Sequence, residues 1–250
     1  MYSKRTLRLV AETLACTSQK REIRNEKSLL ISPFSFTCYL YKNFSCKVLM
    51  LLVVFVMTGC GGNEPYRETF DEPGNWRTES SGEVEGQVRS GVYDFIIRAD
   101  ELTSWTTAGE QFGDGVYQVE ATQVEGPDNN GFGMLFRVDD EQDNFYVFQI
   151  SGDGFVWIGR YRNAGEAEAE PLVGDWWFES PAVNQGSGVT NTLRVHAEGQ
   201  NMIFYVNDRE VGRVTDDAFR SGDIGLMVRT LGESEVHVQF DNFTVTPIEN

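Results

Sequence analysis

The side chains of this 250-residue chain that could do chemistry are carboxylates, two histidines, and a set of tryptophans and arginines. Acid–base cleavage of a glycosidic bond needs two carboxyl groups about 5 to 9.5 Å apart. The nearest acidic alternation is Glu166, Glu168 and Glu170 in GEAEAEP. It lies between a glycine and a proline, so it reads as a loop whose acids face water rather than as a pair on one strand. A nucleophilic triad lacks its parts: His196 and His237 each fall on the polar parity of a strand pattern, and no G-x-S-x-G elbow occurs. Zinc lacks ligands, because Cys16, Cys38, Cys46 and Cys60 all precede the main body of the chain and two distant histidines do not make a site. Nothing resembles a phosphate loop. Stacking chemistry remains. Aromatic faces with a few convergent polar groups are the material of a ligand site, and Trp157, Arg160, Tyr161 and Arg137 lie on apolar strand-like segments. Trp176 and Trp177 stand in a nearby loop between Gly174-Asp175 and Ser180-Pro181. These six are the candidate ligand-binding residues; Trp76 and Trp105 are assigned to the core.

The elements that must position them follow a period of two. Tyr93, Phe95 and Ile97 alternate with Val92, Asp94 and Arg98. Tyr117, Val119 and Ala121 alternate with Gln118, Glu120 and Thr122. Leu193, Val195 and Ala197, and then Val236, Val238 and Phe240, repeat the pattern. Glycine- and asparagine-rich turns separate the runs. Only Asp216 to Arg220 suggests a turn of helix. Many short antiparallel strands predict an all-β, two-sheet β-sandwich. Three consecutive segments differ: Phe132–Val138, Phe145–Ile150 and Phe155–Tyr161 are apolar on both parities. An antiparallel strand of that kind has something covering its second face.

Lys47 to Gly62, KVLMLLVVFVMTGCGG, divides the chain. Its apolar run is too short for a hydrocarbon core of about 30 Å, and a short apolar run after a basic residue is the form of a secretory signal. Met57-Thr58-Gly59-Cys60 resembles the bacterial lipobox, which implies lipidation of Cys60 and a mature chain starting there. A multiply acylated cysteine anchors stably. The expected organisation is a leader at 1–46, reflecting a start placed too far upstream or a disordered extension, a signal segment at 47–59, a tether at 60–68 and one domain at 69–247. No cysteine follows Cys60, so the domain folds without disulfides.

Beyond Cys60, twelve arginines stand against thirty-five acidic residues, a net charge of −23, and no lysine follows Lys47. Roughly ten lysines would be ordinary in such a length. The charge favours solubility, suits a saline exterior, and excludes nucleic acid as a partner for want of a basic patch.

The series GFGMLFR at Gly131 to Arg137, DNFYVFQIS at Asp143 to Ser151, DGFVWIGRY at Asp153 to Tyr161, FYVND at Phe204 to Asp208, GDIGLMV at Gly222 to Val228 and VQFDNFTV at Val238 to Val245, with Phe70, Asp71 and Trp76 ahead of it, resembles the concanavalin A-like lectin/glucanase jelly roll. It is most similar to the LamG-like and 3-keto-disaccharide hydrolase (DUF1080) branch often found on bacterial lipoproteins. The resemblance implies a jelly-roll β-sandwich concerned with glycans, though fold alone does not fix a reaction. The E-x-D-x-x-E run of laminarinase-type glycanases does not occur. Related sandwiches hold a structural calcium ion where the first and last strands meet. The apolar parity slips at Asp241-Asn242, as a bulge would make it, so Asp71 and Asp241 are the candidate calcium ligands, with the Asp139, Asp140, Glu141, Asp143 loop a second candidate. The sequence therefore reads as a monomeric, lipid-anchored extracytoplasmic protein, at the outer membrane if the cell has two, that binds carbohydrate or a cell-surface partner without catalysis. A glycoside hydrolase-like enzyme and a structural envelope protein are the alternatives.

Overall fold

Aromatic and β-branched residues alternating with polar ones fit a pleated, half-buried surface. The computed structural model describes residues 64–163, 169–232 and 235–248. Among them it forms strands and no helix. By internal contacts the chain divides into Met1–Thr58 and Gly59–Asn250, and the described residues all belong to the second unit. The signal segment, the leader and Cys60 lie outside the described residues. None of the described residues forms a helix long and apolar enough to cross a membrane.

In chain order the strands are β1 (Tyr66–Glu68), β2 (Glu79–Ser80), β3 (Val84–Arg89), β4 (Val92–Ile97), β5 (Thr103–Thr107), β6 (Gly115–Glu125), β7 (Gly131–Asp139) and β8 (Asn144–Ser151). They continue as β9 (Phe155–Tyr161), β10 (Glu170–Pro171), β11 (Phe178–Glu179), β12 (Thr190–Glu198), β13 (Asn201–Val206), β14 (Arg209–Thr215), β15 (Asp223–Arg229) and β16 (Val236–Pro247). One sheet runs β14-β13-β12-β6-β16-β4-β3-β2, with β1 added to β16. The other runs β10-β9-β8-β7-β15-β5, with β11 added to β9. The sheets face each other as a sandwich, and the expected strand cores all fall inside observed strands.

The interior is built from the parity that the alternation predicted. Tyr93, Phe95 and Ile97 of β4 and Tyr117, Val119 and Ala121 of β6 join Phe132, Met134 and Phe136 of β7 and Tyr146, Phe148 and Ile150 of β8 in one buried cluster. Each such side chain contributes about 1.5 to 3 kcal/mol on burial. Trp76 belongs to this core, its ring centroid 5.3 Å from that of Phe70 and 5.7 Å from that of Phe243. The slip at Asp241-Asn242 is present: β16 pairs with β6 through Asp241↔Glu120 and then resumes at Thr244↔Gln118. Asn242 there takes a φ of 51°, and Phe240 and Phe243 both reach the core.

Asp216 to Arg220 forms no helical turn. Instead the Asp216 carboxylate accepts hydrogen bonds from the Tyr146 hydroxyl at 2.5 Å and from the Ala218 amide at 3.0 Å. A side-chain acceptor has taken the place of the backbone ladder that a helix would use.

The strands that are apolar on both sides carry a second cluster. Leu135, Val138, Phe145, Val147, Trp157 and Met227 are buried together, with Trp105, Tyr161, Ala169 and Trp177 packed against them. They lie on the parity opposite to the interior, so this is the outer face of the seven-stranded sheet. Trp105 stands here, 5.6 Å from Phe145, and not between the sheets as expected.

Candidate functional site

Three register rows cross that outer face. The central one runs Trp105, Met227, Gly133, Gln149, Trp157 over β5, β15, β7, β8 and β9. On one side lie Thr107, Gly225, Leu135, Val147 and Gly159, and on the other Thr103, Arg229, Gly131 and Ser151. Not one position in these rows is an acid. The glycines leave the floor low. Bulky residues rise at its margin where β9 and the segment before β11 meet.

The tryptophans gather at that margin. Trp157 is fully buried, with ring centroids 5.2 Å to Trp176, 6.3 Å to Trp177 and 5.9 Å to Tyr161. Trp177 fills the space above Gly131: a Cβ built there would lie 2.9 Å from the indole and 3.4 Å from Gln149 Oε1. Trp176, 39% exposed, is the one large exposed apolar side chain among the described residues, and the Arg229 guanidinium carbon lies 5.7 Å from its ring centroid. Burial pushes the Tyr161 hydroxyl above its ordinary pKa, and the charge of Arg229 opposes that rise in part. The cover that the doubly apolar strands called for is thus in part the chain's own tryptophan segment.

This cluster also concentrates unpaired polarity. Gln149 is fully buried, and among the described residues neither its amide oxygen nor its amide nitrogen has a hydrogen-bond partner; Trp157 Nε1, Trp177 Nε1 and Arg229 Nη1 lack one there as well. A buried polar group left unsatisfied costs about 1 to 3 kcal/mol, and unsatisfied groups of this kind are rare in folded proteins. Five of the eight such atoms among the described residues lie in this cluster of tilted indoles.

Of the six sequence candidates, the structure brings Trp157, Tyr161, Trp176 and Trp177 together and leaves the two arginines elsewhere. Arg137 is fully buried. It donates to the carbonyls of Gly199 and Phe219 at 2.9 and 3.1 Å and to Asp114 at 2.9 Å, tying loops at the end of the sandwich. Arg160 lies on the opposite parity to Trp157, bonded to Asp216 and, at 2.6 and 2.8 Å, to Glu170. Both are absorbed by structure, since a guanidinium on a strand flanked by acids finds a carboxylate before it finds a ligand. Gln149 and Arg229 were missed. The signal for Gln149 was its parity: it shares a face with Phe145 and Val147 on a strand with no wet side.

The outer face of the nine-stranded sheet holds a different polar cluster. Asp94 is buried on the parity expected to be wet. It accepts from His237 Nε2 at 2.6 Å and from Gln239 Nε2 at 3.1 Å, and it is ion-paired with Arg89. Burial alone would raise this carboxyl, but the hydrogen bonds and the charges of His237 and Arg89 outweigh it and hold it below the ordinary range. Every group in the cluster is engaged with another.

Asp71 and Asp241 do come near each other. The Asp241 carboxyl is raised by burial first, and then by the charges of Glu120 and Asp71. Asp71 accepts from the Thr69 hydroxyl, and Asp241 from the amide of Asn242. Calcium takes six to eight oxygens. Among the described residues no group of three or more acidic, histidine or cysteine side chains could hold a metal ion. The second acidic loop borders a cavity of about 330 Å³ with Gln111, Ser221 and Asp223. There Asp140 accepts from Thr107 and Arg77, and Asp223 accepts from the amides of Gly109, Glu110 and Ile224.

No family model matches the sequence, and no curated protein does. Solved structures do. The carbohydrate-binding module CBM66 from Bacillus subtilis is 20% identical with a TM-score of 0.54, covering 69% of this chain and 96% of its own. A β-1,3-1,4-glucanase (lichenase) from a mouse hindgut metagenome is 16% identical at 0.55, over 74% and 99%. A Bacillus subtilis protein of unknown function with a galectin-like fold is 12% identical at 0.54, over 74% and 96%. The fold is that of the concanavalin A-like jelly rolls.

Proposed function

We propose that this chain is a glycan-binding jelly-roll module whose site is the outer face of the seven-stranded sheet, around Trp157, Tyr161, Trp176, Trp177, Gln149 and Arg229. The observation that carries the reading is the coincidence, in one place, of packed indoles with five buried polar atoms that no group among the described residues satisfies. Sugar rings offer an apolar face for stacking and hydroxyls for such atoms. Trp176 supplies the accessible stacking face. Access to Gln149 requires the Trp177 indole to leave its seat over Gly131, so binding and movement of the segment before β11 are coupled. The three register rows carry no acid, which favours binding over hydrolysis at this face. The carbohydrate-binding module and the glucanase among the similar structures make a glycan ligand the natural class to test. The kinship with the LamG-like and DUF1080 branch, and a membrane address through a lipidated Cys60 on the outer side of the cell, belong to the same proposal.

Presenting the full chain, in detergent, to a glycan array tests it. Retention of a subset of glycans, reduced at least tenfold by Trp176→Ala with unchanged far-ultraviolet circular dichroism, is the expected result. An array that stays blank counts against glycan binding and returns the protein to a structural role in the envelope.

A hydrolytic reading has one observation in its favour: the cavity lined by Asp139, Asp140, Glu141 and Asp223, where burial first and then the charge of Asp140 raise the Asp223 carboxyl. Release of reducing sugar from polysaccharides, abolished by Asp140→Asn, would establish it.

A further inference from the structure

The unpaired atoms of the tryptophan cluster are not an even mixture. Four are donors, namely Gln149 Nε2, the two indole Nε1 groups of Trp157 and Trp177, and Arg229 Nη1; one, Gln149 Oε1, is an acceptor. A sugar hydroxyl can accept from such donors, but as a neutral acceptor it makes weaker bonds with them than an anion does. A carboxylate or sulfate only accepts, and it gains most from donors held away from water.

Charge points the same way. Arg229 makes no ion pair among the described residues, whereas seven other arginines do. Arg67, Arg162, Arg209 and Arg220 make none either, so what sets Arg229 apart is its place: a buried Nη1 with no partner among the described residues, beside the Trp176 ring. Its neighbours are an exposed indole and a tyrosine, on a face whose register rows contain no acid. The remaining acids repel an anion at a distance, but physiological salt screens beyond about 8 Å, so the local donors decide the outcome at contact.

We infer that the glycan bound at this face carries an anionic sugar residue, a uronate or a sulfated sugar, whose charged group is received by Arg229 and the unpaired N–H donors of the same face. This rests on the glycan-binding reading of the same face. The full chain in detergent is titrated calorimetrically with two matched pairs: oligogalacturonate against its methyl ester, and a sulfated galactan oligosaccharide against its desulfated form. One charged member should bind at least ten times more tightly than its neutral twin. Arg229→Gln should erase that difference, and Arg229→Lys should restore part of it. Equal affinity within both pairs overturns the inference and leaves the glycan reading in place. Failure of all four probes to bind, with neutral glycans retained on the array, likewise overturns the inference alone; a blank array as well overturns both.

Discussion

The Trp177 indole occupies the volume that a side chain at residue 131 would need, and Gly131 is the residue that leaves it free. A methyl group there would stand 2.9 Å from two ring carbons of Trp177, closer than real contacts allow, so one of the two must yield. Gly131→Ala is expected to cost about 1 to 3 kcal/mol, as overpacking does, and to weaken the near-ultraviolet circular dichroism of the tryptophans. In the double variant with Trp177→Ala the clash is gone, and the two effects on the urea midpoint should fall short of their sum. Strict additivity would mean that the indole does not sit over Gly131.

Trp157 and Trp176 touch, yet they should respond in opposite ways to truncation. Trp157→Ala removes a fully buried ring and is expected to destabilise the fold by about 3 to 5 kcal/mol. Trp176→Ala removes a side chain that is already 39% exposed. Its urea midpoint should move little, and its loss should be of glycan retention. If truncating Trp176 unfolds the domain instead, that residue is a structural lid and not a stacking platform.

The contrast shows where the sequence was informative. Period two is a local property, so the interior parity of β4, β6, β12 and β16 could be read from Tyr93, Tyr117, Leu193 and Val238 directly, and the bulge at Asp241-Asn242 from the slip in that parity. The covered outer face was legible for the same reason, because Phe155 to Tyr161 has no polar side. What covered it was not legible, since Trp177 meets Gly131 only once β7 and the segment before β11 are folded together. Arg137 and Arg160 were misplaced because strand parity says which face a side chain starts from and says nothing of the acid it will find. Asp114 and Asp216 are distant in sequence and adjacent in space. Asp94 reversed the ordinary rule for a polar position, and its burial is explained by His237 and Gln239 from the far end of the chain together with Arg89.

Arg137 is expected to matter for folding and not for ligand. Arg137→Met strands the Asp114 carboxylate and two loop carbonyls, and breaking a buried pair from one side costs about 3 to 5 kcal/mol. The variant should lose urea resistance while the protein that remains folded keeps the wild-type affinity for the array's best glycan. A selective fall in affinity at unchanged stability would place Arg137 in the site after all.

At the bulge, Asp241 is held among like charges from Glu120 and Asp71. Removing its charge should relieve repulsion, so Asp241→Asn is expected to stabilise slightly at neutral pH. The gain is at most about 1 kcal/mol, because the group is partly in water. Thermal melts with EGTA and with added calcium check the calcium reading of the same locus, where Asp241, Asp71 and Glu120 act on one another. A wild-type melting temperature that falls with EGTA, and an Asp241→Asn variant that ignores it, would assign the pair to calcium.

Acid should act on this protein in two stages of opposite sign. Asp143, Asp223 and Asp241 have folded carboxyls raised above the ordinary range, by burial first and by neighbouring acids after it. A raised carboxyl penalises the folded state at neutral pH, and the penalty is relieved as pH falls through its folded value toward the unfolded value near 3.9. Asp94 and Asp216 are held below that range. In each, burial pushes upward and is outweighed, by His237, Gln239 and Arg89 in the first and by Tyr146, the Ala218 amide and Arg160 in the second. Their contribution is fully present above the unfolded value and is lost as pH falls through the folded one. Urea midpoints measured from pH 7 downward should therefore rise at first, as the raised carboxyls take up protons, and collapse once the pH falls below the ordinary carboxylate range. Asp94→Asn should lower the midpoint at pH 7 by the equivalent of about 1 to 3 kcal/mol, the cost of losing hydrogen bonds to a buried charge, and should flatten the acid limb. A stability that climbs steadily from pH 3 to pH 7 would mean that the raised carboxyls carry no penalty, and an Asp94→Asn variant with an unaltered acid limb would remove the His237–Asp94 contact from the account of it.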